Sequence, residues 1–282
     1  MPDNRSMKQI ILVTGAGSGL GREFARQMPA VFPADELWLF ARTESRLEET
    51  AETVRKETEK AGIKILPRVF PGSLTGRTGV AAVENLLRQE AERCGGLCVR
   101  AFANNAGSGT YGPVMETETE DQMEMIELNA VTAAGLCRIA VPYMAAGSVI
   151  LNTASLAAFA PLGNFAVYAA TKAFLYSFSL ALRAELADRG ISVCAVCPGP
   201  VATNFAAVAS NGARMEVKGG ADPVRVAAHA IRAACKGKAQ ALCLPKWKIK
   251  AFLSRLIPRY AFARWTYLHE KRPRKKKDAP RE

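Results

Sequence analysis

Apolar runs alternate with amphipathic segments along the chain. The run QIILVTG is followed by a helical pattern in LGREFARQM, then by the run ELWLFAR and by the charged helical pattern ESRLEETAETVRKETEKAG. Further runs follow at IKILPRVF, LCVRAFANN, GSVILNTAS and ISVCAVCPG, each separated by enough chain for a crossover helix. Strands that are apolar on both faces and joined by helices are typical of a parallel sheet covered on both sides. The pattern therefore predicts an α/β fold with a doubly wound parallel sheet.

The charge distribution separates a main body from an extension. No repeat or low-complexity linker interrupts residues 8–244, and a chain of 282 residues, 49% of them hydrophobic, can bury a full core in one domain. From Lys246 to Glu282, thirteen lysines and arginines stand against three acids, so this segment carries +10 of the total charge of +12. We expect one α/β domain over residues 8–244 and a basic, amphipathic extension over residues 245–282.

Two features bear on membranes and export. The stretch from Ile139 to Thr171 carries no charged residue, but prolines, glycines and asparagines interrupt it, which favours buried core over a membrane span. The N-terminal sequence MPDNRSMKQ is polar and lacks the apolar run of a signal peptide. We expect the body of the protein to be cytoplasmic.

Cysteines and histidines give no sign of a metal or disulfide framework. The chain has seven cysteines, an odd number without a disulfide pattern. Cys194 and Cys197 form a CxxC, but in a strand two positions three apart point to opposite faces. Buried thiols are therefore expected there, rather than a redox or zinc site. His229 and His269, the two histidines, have no second candidate ligand nearby, so we expect no metal.

A glycine-rich turn, TGAGSGLG over residues 14–21, joins the first predicted strand to the first predicted helix. Glycines let the backbone approach phosphates, and a helix N-terminus supplies unpaired N–H groups and positive potential. The spacing is GxxxGxG rather than GxGxxG, and an ordinary turn is the alternative. With a strand before it and a helix after it, the turn predicts a dinucleotide site of the Rossmann type. The candidate contacts are Gly15, Ser18, Gly19, Leu20 and Gly21.

The end of the second predicted strand bears on the choice of cofactor. An acid at this point hydrogen-bonds the ribose 2′-OH of NAD, whereas an arginine accommodates the 2′-phosphate of NADP. The chain has Arg42 there and no acid, which favours NADP(H) over NAD(H). A solvated arginine is the alternative.

The segment Tyr168-Ala-Ala-Thr-Lys172 contains the YxxxK pattern, which on a helix places both side chains on one face. An ammonium group beside a phenol stabilises the phenolate, so we expect Lys172 to lower the pKa of Tyr168 and to make it a usable acid or base. Thirteen residues earlier, Ser155 ends a predicted strand, where its hydroxyl can hold a substrate carbonyl. Taken singly, Tyr168 would be a packing residue and Ser155 a turn residue.

Together these motifs resemble the classical short-chain dehydrogenases/reductases. The likeness covers residues from about 8 to 205 and rests on residues 14–21, Asn104-Asn105-Ala106-Gly107, Asn129, Ser155, Tyr168, Lys172 and Pro198-Gly199. The resemblance implies that Tyr168 is the general acid or base. It also implies that Lys172 lowers the tyrosine pKa and binds the nicotinamide ribose, and that Ser155 orients the carbonyl. By the same resemblance, Asn129 holds a water in the proton relay.

The resemblance also implies cofactor contacts along the strand ends. Asn105, Ala106 and Gly107 are expected on the adenosine side, and Pro198, Gly199, Val201 and Thr203 around the nicotinamide amide. Ser73 stands where the family usually has an aspartate as adenine partner, next to Leu74. Since a serine can still make one hydrogen bond, we expect weaker adenine anchoring at Ser73 and Leu74, not a lost site.

The function implied is hydride transfer between NADP(H) and a carbonyl or secondary alcohol. The loop after Ser155, LAAFAPLGNFA, offers Phe159, Leu162 and Phe165, which favours a hydrophobic ketone or β-ketoacyl substrate. The segment VATNFAAVASNGARMEVKGG, rich in small residues, is expected to act as a lid. A non-catalytic NADP(H)-binding regulator is the main alternative. An isomerase or epimerase is a second, but such relatives carry a larger C-terminal domain.

The C-terminal extension leaves several roles open. Between Trp247 and Ile257, apolar residues recur at helical spacing among basic ones, and aromatic residues and the run from Lys271 to Lys277 follow. Such a segment could rest on an anionic membrane surface. The alternatives are a helix covering the substrate cleft, a subunit contact and a solvated tail. No other face suits nucleic acid, so a nucleic-acid partner is not expected. The resemblance makes a homo-oligomer an expectation, with the helix bearing Tyr168 at the interface.

Overall fold

The structure is a computed structural model that describes residues 7–215, 217 and 219–275. The first six residues, which carry most of the polar N-terminal sequence, lie outside the described residues. So do residues 276–282, which include the last two lysines of the basic run.

The sheet has seven strands that pair in parallel in the order β3-β2-β1-β4-β5-β6-β7. The strands are β1 (Lys8–Thr14), β2 (Glu36–Ala41), β3 (Leu66–Pro71), β4 (Leu97–Asn104), β5 (Val149–Thr153), β6 (Ser192–Val196) and β7 (Gln240–Ala241). All six strands expected from the apolar runs are confirmed. The seventh strand is only two residues long, and a pair of residues carries no periodic signal.

Ten α-helices are described, joined by short 3-10 turns. They are α1 (Gly19–Gln27), α2 (Glu44–Lys60), α3 (Gly76–Cys94), α4 (Thr119–Ile126), α5 (Ala133–Ala140), α6 (Ala166–Leu186), α7 (Phe205–Ala209), α8 (Pro223–Cys235), α9 (Pro245–Leu253) and α10 (Arg259–His269). A π-helical segment, Glu127–Thr132, connects α4 to α5 without a break.

Helices cover both faces of the sheet. In β1, Ile11 and Val13 join one buried cluster with side chains of α1, α2 and α8, whereas Ile10 and Leu12 join another with side chains of α3 and α5. This alternation is the period of two that a strand imposes on its side chains. The doubly wound arrangement predicted from the sequence is confirmed.

The CxxC residues follow the same alternation. Cys194 lies in the cluster under α8, and Cys197 lies in a third cluster that includes Trp247. All seven cysteines are within the described residues and are free thiols.

By length and composition alone, the continuous helix Thr119–Tyr143 could cross a membrane. In the fold it covers the sheet, because its α5 part contacts α3 and its α4 part contacts α6. The uncharged stretch from Ile139 to Thr171 contains the end of this helix, all of β5 and the start of α6. Its lack of charge follows from burial inside the domain.

The C-terminal extension corrects one prediction. Instead of one helix from Trp247 to Ile257, the structure has α9 and α10, and Pro258 lies between them. The buried side of α9 is Trp247 with Ala251, whereas Ile249 and Phe252 of the predicted apolar face are 57% and 62% exposed. Trp247 docks against Gly199, since a Cβ built on that glycine would lie 2.4 Å from the indole Nε1. Helical periodicity cannot reveal such a distant contact.

We predict that Trp247→Ala costs the domain about 3–5 kcal/mol of unfolding free energy, because it leaves a cavity where the extension meets the sheet. Ile249→Ala, an exposed position on the same helix, should change stability by about 0.5 kcal/mol or less. Urea unfolding of both variants measures the difference. Equal losses would show that α9 does not pack as described.

Candidate active site

A cleft of about 890 Å³ runs along the carboxyl edge of the sheet. In open α/β sheets ligands bind at this edge, where the strand order reverses. The cleft is lined by Gly15, Ser18, Gly19, Leu20, Arg42, Ser73, Leu74, Asn105, Ala106, Gly107, Ser155, Tyr168, Lys172, Pro198, Gly199, Val201 and Thr203, all candidates from the sequence. Two other candidates, Gly21 and Asn129, do not line the cleft. Gly21 packs against Gly15 and Asn129 hydrogen-bonds Ser108, and both of those partners line it.

The glycine turn forms a close backbone cradle. A Cβ on Gly21 would lie 2.0 Å from the carbonyl oxygen of Gly15, so only glycine allows the first turn of α1 to approach the end of β1. Gly15 and Gly19 have φ of +68° and +53°, which side chains disfavour. Because α1 begins at Gly19, the unpaired N–H groups of its first turn face the cleft. This cradle suits a pyrophosphate group.

Thr14 fastens the cradle to the neighbouring strand, a role that the sequence analysis missed. Its hydroxyl accepts hydrogen bonds from the backbone N–H groups of Asn105 and Ala106, both at 2.9 Å. In return, the Asn105 amide donates to the Thr14 carbonyl at 3.1 Å. The signal was present, since a threonine closes β1 immediately before the glycines.

Two arginines line the cleft near the end of β2. The side chain of Arg42, which follows β2, is 70% exposed, and its Nη1 lies 3.9 Å from Oε1 of Glu124. Arg46, in the first turn of α2, also lines the cleft, and a Cβ built on Gly17 would lie 3.3 Å from the Arg46 Cβ. The sequence analysis considered Arg42 alone, because a residue four positions further along a helix gives no sign of which way it faces.

Ser73 lines the cleft but already has partners. Its hydroxyl donates to the Thr75 hydroxyl at 3.1 Å and accepts from the Thr75 backbone N–H at 3.2 Å, just before α3 begins. The Leu74 carbonyl accepts from Thr132 at 2.8 Å. The turn around Ser73 and Leu74 is therefore fixed by hydrogen bonds within the protein, and its contact with adenine stays a prediction.

Ser155, Tyr168 and Lys172 converge at the other end. Ser155 follows β5, accepts from the Ala157 backbone N–H at 3.1 Å and donates to the Pro198 carbonyl at 3.4 Å. Its hydroxyl is near enough to the Tyr168 phenol to lower the pKa of that group. Lys172 lies one turn after Tyr168 on α6, with its Nζ 5.7 Å from the phenol ring centroid, and it donates to the Thr153 carbonyl at 2.8 Å. The three groups thus form one contiguous, buried set.

The expected lowering of the tyrosine pKa is wrong for this structure. Burial raises the pKa of Tyr168 to about 12, against the hydrogen bond from Ser155 and the charge of Arg272, which lower it. Burial also lowers the pKa of Lys172 to about 8. Removing water from both groups disfavours their charged forms more than their partners favour them.

Asn129 stands in the π-helical segment and is fully buried. Its Oδ1 accepts from the Ser108 backbone N–H at 2.9 Å, and its Nδ2 donates to the Ser108 carbonyl and the Thr171 hydroxyl. The side chain thereby braces the loop after β4 against α6. With both amide hydrogens engaged, its place in a proton relay stays a prediction. π-Helical segments occur frequently at functional sites.

Aromatic side chains enclose the phenol. Phe165 stacks on Tyr168 with ring centroids 4.1 Å apart, Phe205 of α7 approaches to 5.6 Å, and Tyr111 meets Phe165 edge-on. The segment after Pro198-Gly199, expected to be a lid, reaches the site through Phe205 and Thr203. The methyl group of Thr203 would lie 3.2 Å from a Cβ on Gly19, so this segment borders the glycine cradle.

A family model described as short chain dehydrogenase matches residues 9–213. The chain belongs to the short-chain dehydrogenase family. The probable oxidoreductase EphD of Mycobacterium tuberculosis is 31% identical over 210 residues, which are 70% of this chain and 32% of EphD. The chain thus spans about a third of the length of that relative. A putative ketoacyl reductase of Streptomyces coelicolor is 33% identical over 206 residues, 71% of this chain and 73% of the relative.

Solved structures of short-chain dehydrogenases share the fold of this chain. A short-chain dehydrogenase from Sphingobium yanoikuyae in complex with NADPH is 25% identical, with a TM-score of 0.71 over 96% of this chain and 99% of its own. Among the solved structures similar to this chain, some hold NADPH, NADP or NAD.

The match to the short-chain dehydrogenase family ends before the extension, which adds a wall to the cleft. The backbone N–H of Gly163 donates to the Thr266 hydroxyl at 2.9 Å, and the Asn164 amide donates to the Tyr267 carbonyl at 3.0 Å. Among the alternatives for this segment, the structure shows the one that covers the cleft. The lining residues that it contributes are Lys250, Leu253, Ser254, Ile257, Phe262, Trp265, Glu270 and Arg272.

The lowered pKa of Lys172 predicts a pH-dependent stability. The unfolded chain keeps this proton up to the ordinary value of 10.5 and the folded protein only up to about 8, so its contribution to stability rises with pH between these values. Relative to Lys172→Met, which does not titrate, the dehydrogenase should gain on the order of 2 kcal/mol between pH 8 and pH 9.5. Urea midpoints of both proteins measure this gain. A difference that stays constant with pH would contradict it, and Lys236→Met at an exposed site is the control.

Proposed function

We propose that the protein is an NADP(H)-dependent reductase or dehydrogenase that moves a hydride between the nicotinamide and a carbonyl or secondary alcohol. The observation that carries the proposal is one continuous cleft. It has a glycine cradle and two arginines at one end, and buried Ser155, Tyr168 and Lys172 at the other. The NADPH held by the Sphingobium relative supports the choice of cofactor, and Arg42 with Arg46 offers two cations for a 2′-phosphate.

Each residue has a separate task in this mechanism. When bound, the cofactor supplies or accepts the hydride. Ser155 and Tyr168 hold the carbonyl oxygen between two hydroxyl groups, and Tyr168 donates the proton as the alcohol forms. The raised pKa of Tyr168 keeps this proton in place at neutral pH, which suits the reductive direction. Lys172, anchored on the Thr153 carbonyl, stands one turn away to stabilise the phenolate left behind.

The substrate is proposed to have a hydrophobic body. Around the phenol the cleft is lined by apolar side chains from four segments that meet there. The residues are Tyr111 after β4, Phe159, Leu162 and Phe165 before α6, Phe205 and Val208 of α7, and Leu253, Ile257, Phe262 and Trp265 of the extension. Apolar walls exclude water from the reacting carbonyl and favour ketones or β-ketoacyl compounds over sugars. The putative ketoacyl reductase among the relatives is consistent with this class.

A non-catalytic NADP(H)-binding regulator is the rival proposal. Such a protein would need the cradle and the arginines, but not a buried tyrosine with a serine hydroxyl beside it and a lysine one turn away. The complete set supports the enzyme.

The remaining proposals concern the cellular location of the protein and its assembly. We place the protein in the cytoplasm, and we expect a homo-oligomer. On the outer part of α6, Phe174 is 45% exposed and its ring lies parallel to that of Phe178, an apolar surface suited to a second subunit.

Tyr168→Phe should lower kcat/KM by about 10² to 10⁴ while NADPH affinity is kept, because the ring stays and only the proton donor is lost. NADPH oxidation is followed with a panel of hydrophobic ketones and β-ketoacyl thioesters. Tyr176→Phe is the matched control on the same helix, where the hydroxyl bonds Gln240 at 2.8 Å outside the cleft. Tight NADPH binding without turnover in the unmodified protein would favour the regulator.

Replacing either cleft arginine tests the cofactor. Arg42→Ala and Arg46→Ala should each weaken NADPH binding by about 10-fold or more and leave NADH binding within about 2-fold, because a charge-assisted contact to the 2′-phosphate is lost. Fluorescence titration gives both constants. Arg55→Ala, further along α2 and paired with Glu52, is the control. If NADPH and NADH affinities fell together, neither arginine would read the phosphate.

A further inference from the structure

Arg272 lies in the substrate end of the cleft, beside the aromatic side chains around the phenol. Its guanidinium carbon is 5.3 Å from the centroid of the Phe165 ring, and that ring stacks on Tyr168 at 4.1 Å. One aromatic ring therefore separates this charge from the phenol. The side chain is only 15% exposed. A buried guanidinium this near to the reacting group needs an explanation.

Tethering the extension does not provide it. Two residues later, Arg274 pairs with Asp121 of α4, and both side chains of that pair are 13% exposed. Hydrogen bonds from Gly163 and Asn164 also fasten the extension. The charge of Arg272 is thus additional to a docking that other groups already make.

The partners of Arg272 occupy only part of its guanidinium. One Nη donates to the Gly163 carbonyl at 3.0 Å and the other to Glu270 at 2.9 Å, and Glu270 is 43% exposed. A guanidinium has five N–H donors, so donors remain for another group. Burial lowers the pKa of Arg272, against Glu270, whose charge and hydrogen bond raise it, and Arg214 adds a smaller lowering. Glu270 is the one anion paired with this guanidinium among the described residues, and Arg214 adds a second positive charge, so a second anion would find uncompensated positive charge here.

Arg214 reaches the same end of the cleft from the segment after α7. Ser210 holds both segments, because its hydroxyl accepts from the Arg214 backbone N–H at 2.8 Å and its carbonyl accepts from the Lys275 backbone N–H at 3.0 Å. Apart from Lys172, the charged residues among the described lining of this end are the cations Arg214, Lys250 and Arg272 and the acid Glu270, a net charge of +2. Positive charge therefore borders an apolar interior.

We propose that Arg272, with Arg214 beside it, binds a carboxylate at the end of the substrate opposite its reacting carbonyl. The inference rests on the proposed function and deepens it: the substrate is an oxo acid with a hydrophobic body. The apolar walls hold the body, Ser155 and Tyr168 hold the carbonyl, and the arginines hold the carboxylate. A guanidinium suits this task because it can bind both carboxylate oxygens.

The test compares 6-oxoheptanoate with its methyl ester, which differ in charge and by one methyl group. The unmodified protein should have a KM for the acid about 10-fold or more below that for the ester, and Arg272→Gln should abolish this preference by raising the KM for the acid. Arg272→Lys should restore part of it. Arg264→Gln is the matched control, since Arg264 stacks on Tyr267 in the same extension and does not line the cleft.

Calorimetry separates this inference from the proposed function. Heptanoate, which has no ketone, should bind the NADPH-loaded protein and lose affinity in Arg272→Gln, whereas methyl heptanoate should be unaffected. Ester turnover that depends on Tyr168, without a preference for the acid, would overturn the carboxylate subsite and keep the reductase. Equal losses for acid and ester that Arg272→Lys does not reverse would make Arg272 a structural residue only. Heptanoate binding without turnover of either ketone would keep the subsite and remove the reductase.

Discussion

Exclusion of water around Tyr168 and Lys172 is the constraint on which the rest of the site depends. Phe165 and Phe205 cover the phenol, and the lysine is only 4% exposed beside the end of β5. Burial sets the protonation of both groups, since it raises the pKa of the tyrosine and lowers that of the lysine. The site therefore holds a neutral proton donor at rest. In the proposed mechanism the phenolate left by proton donation needs positive charge nearby, and Lys172 lies one helical turn away.

The same burial explains the polar bonds behind the site. Asn129 can occupy the core because all of its amide hydrogens have partners, on Ser108 and Thr171. Thr14 is equally buried and serves two backbone N–H groups after β4. Such fully paired groups fix loops that would otherwise be free to move. The edge of the sheet is thereby held at the spacing that a bound cofactor and substrate require.

The parallel sheet, the glycine turn and the placement of Tyr168 and Lys172 on one helix face could be predicted from the sequence. Each is signalled by a pattern within a short stretch of chain: apolar runs, glycines between a strand and a helix, and a tyrosine four residues before a lysine. Two errors have a common cause. The direction of the Tyr168 pKa depends on how completely Phe165, Phe205 and the extension exclude water. The helix around Trp247 depends on its contact with Gly199, far away in the chain. Neither quantity is encoded in a local pattern.

The part of the chain that matches the family and the C-terminal extension contribute different parts of the cleft. Residues 9–213 contain the cradle and Ser155, Tyr168 and Lys172, whereas part of the cleft wall comes from residues beyond them. The extension contributes residues of α9, α10 and Arg272 to that wall. Hydrogen bonds from Gly163 and Asn164 tie that wall to the loop between β5 and α6, the loop that also places Phe165 against the phenol. A change in how the extension docks would therefore reach the Phe165 ring and, through it, the Tyr168 phenol.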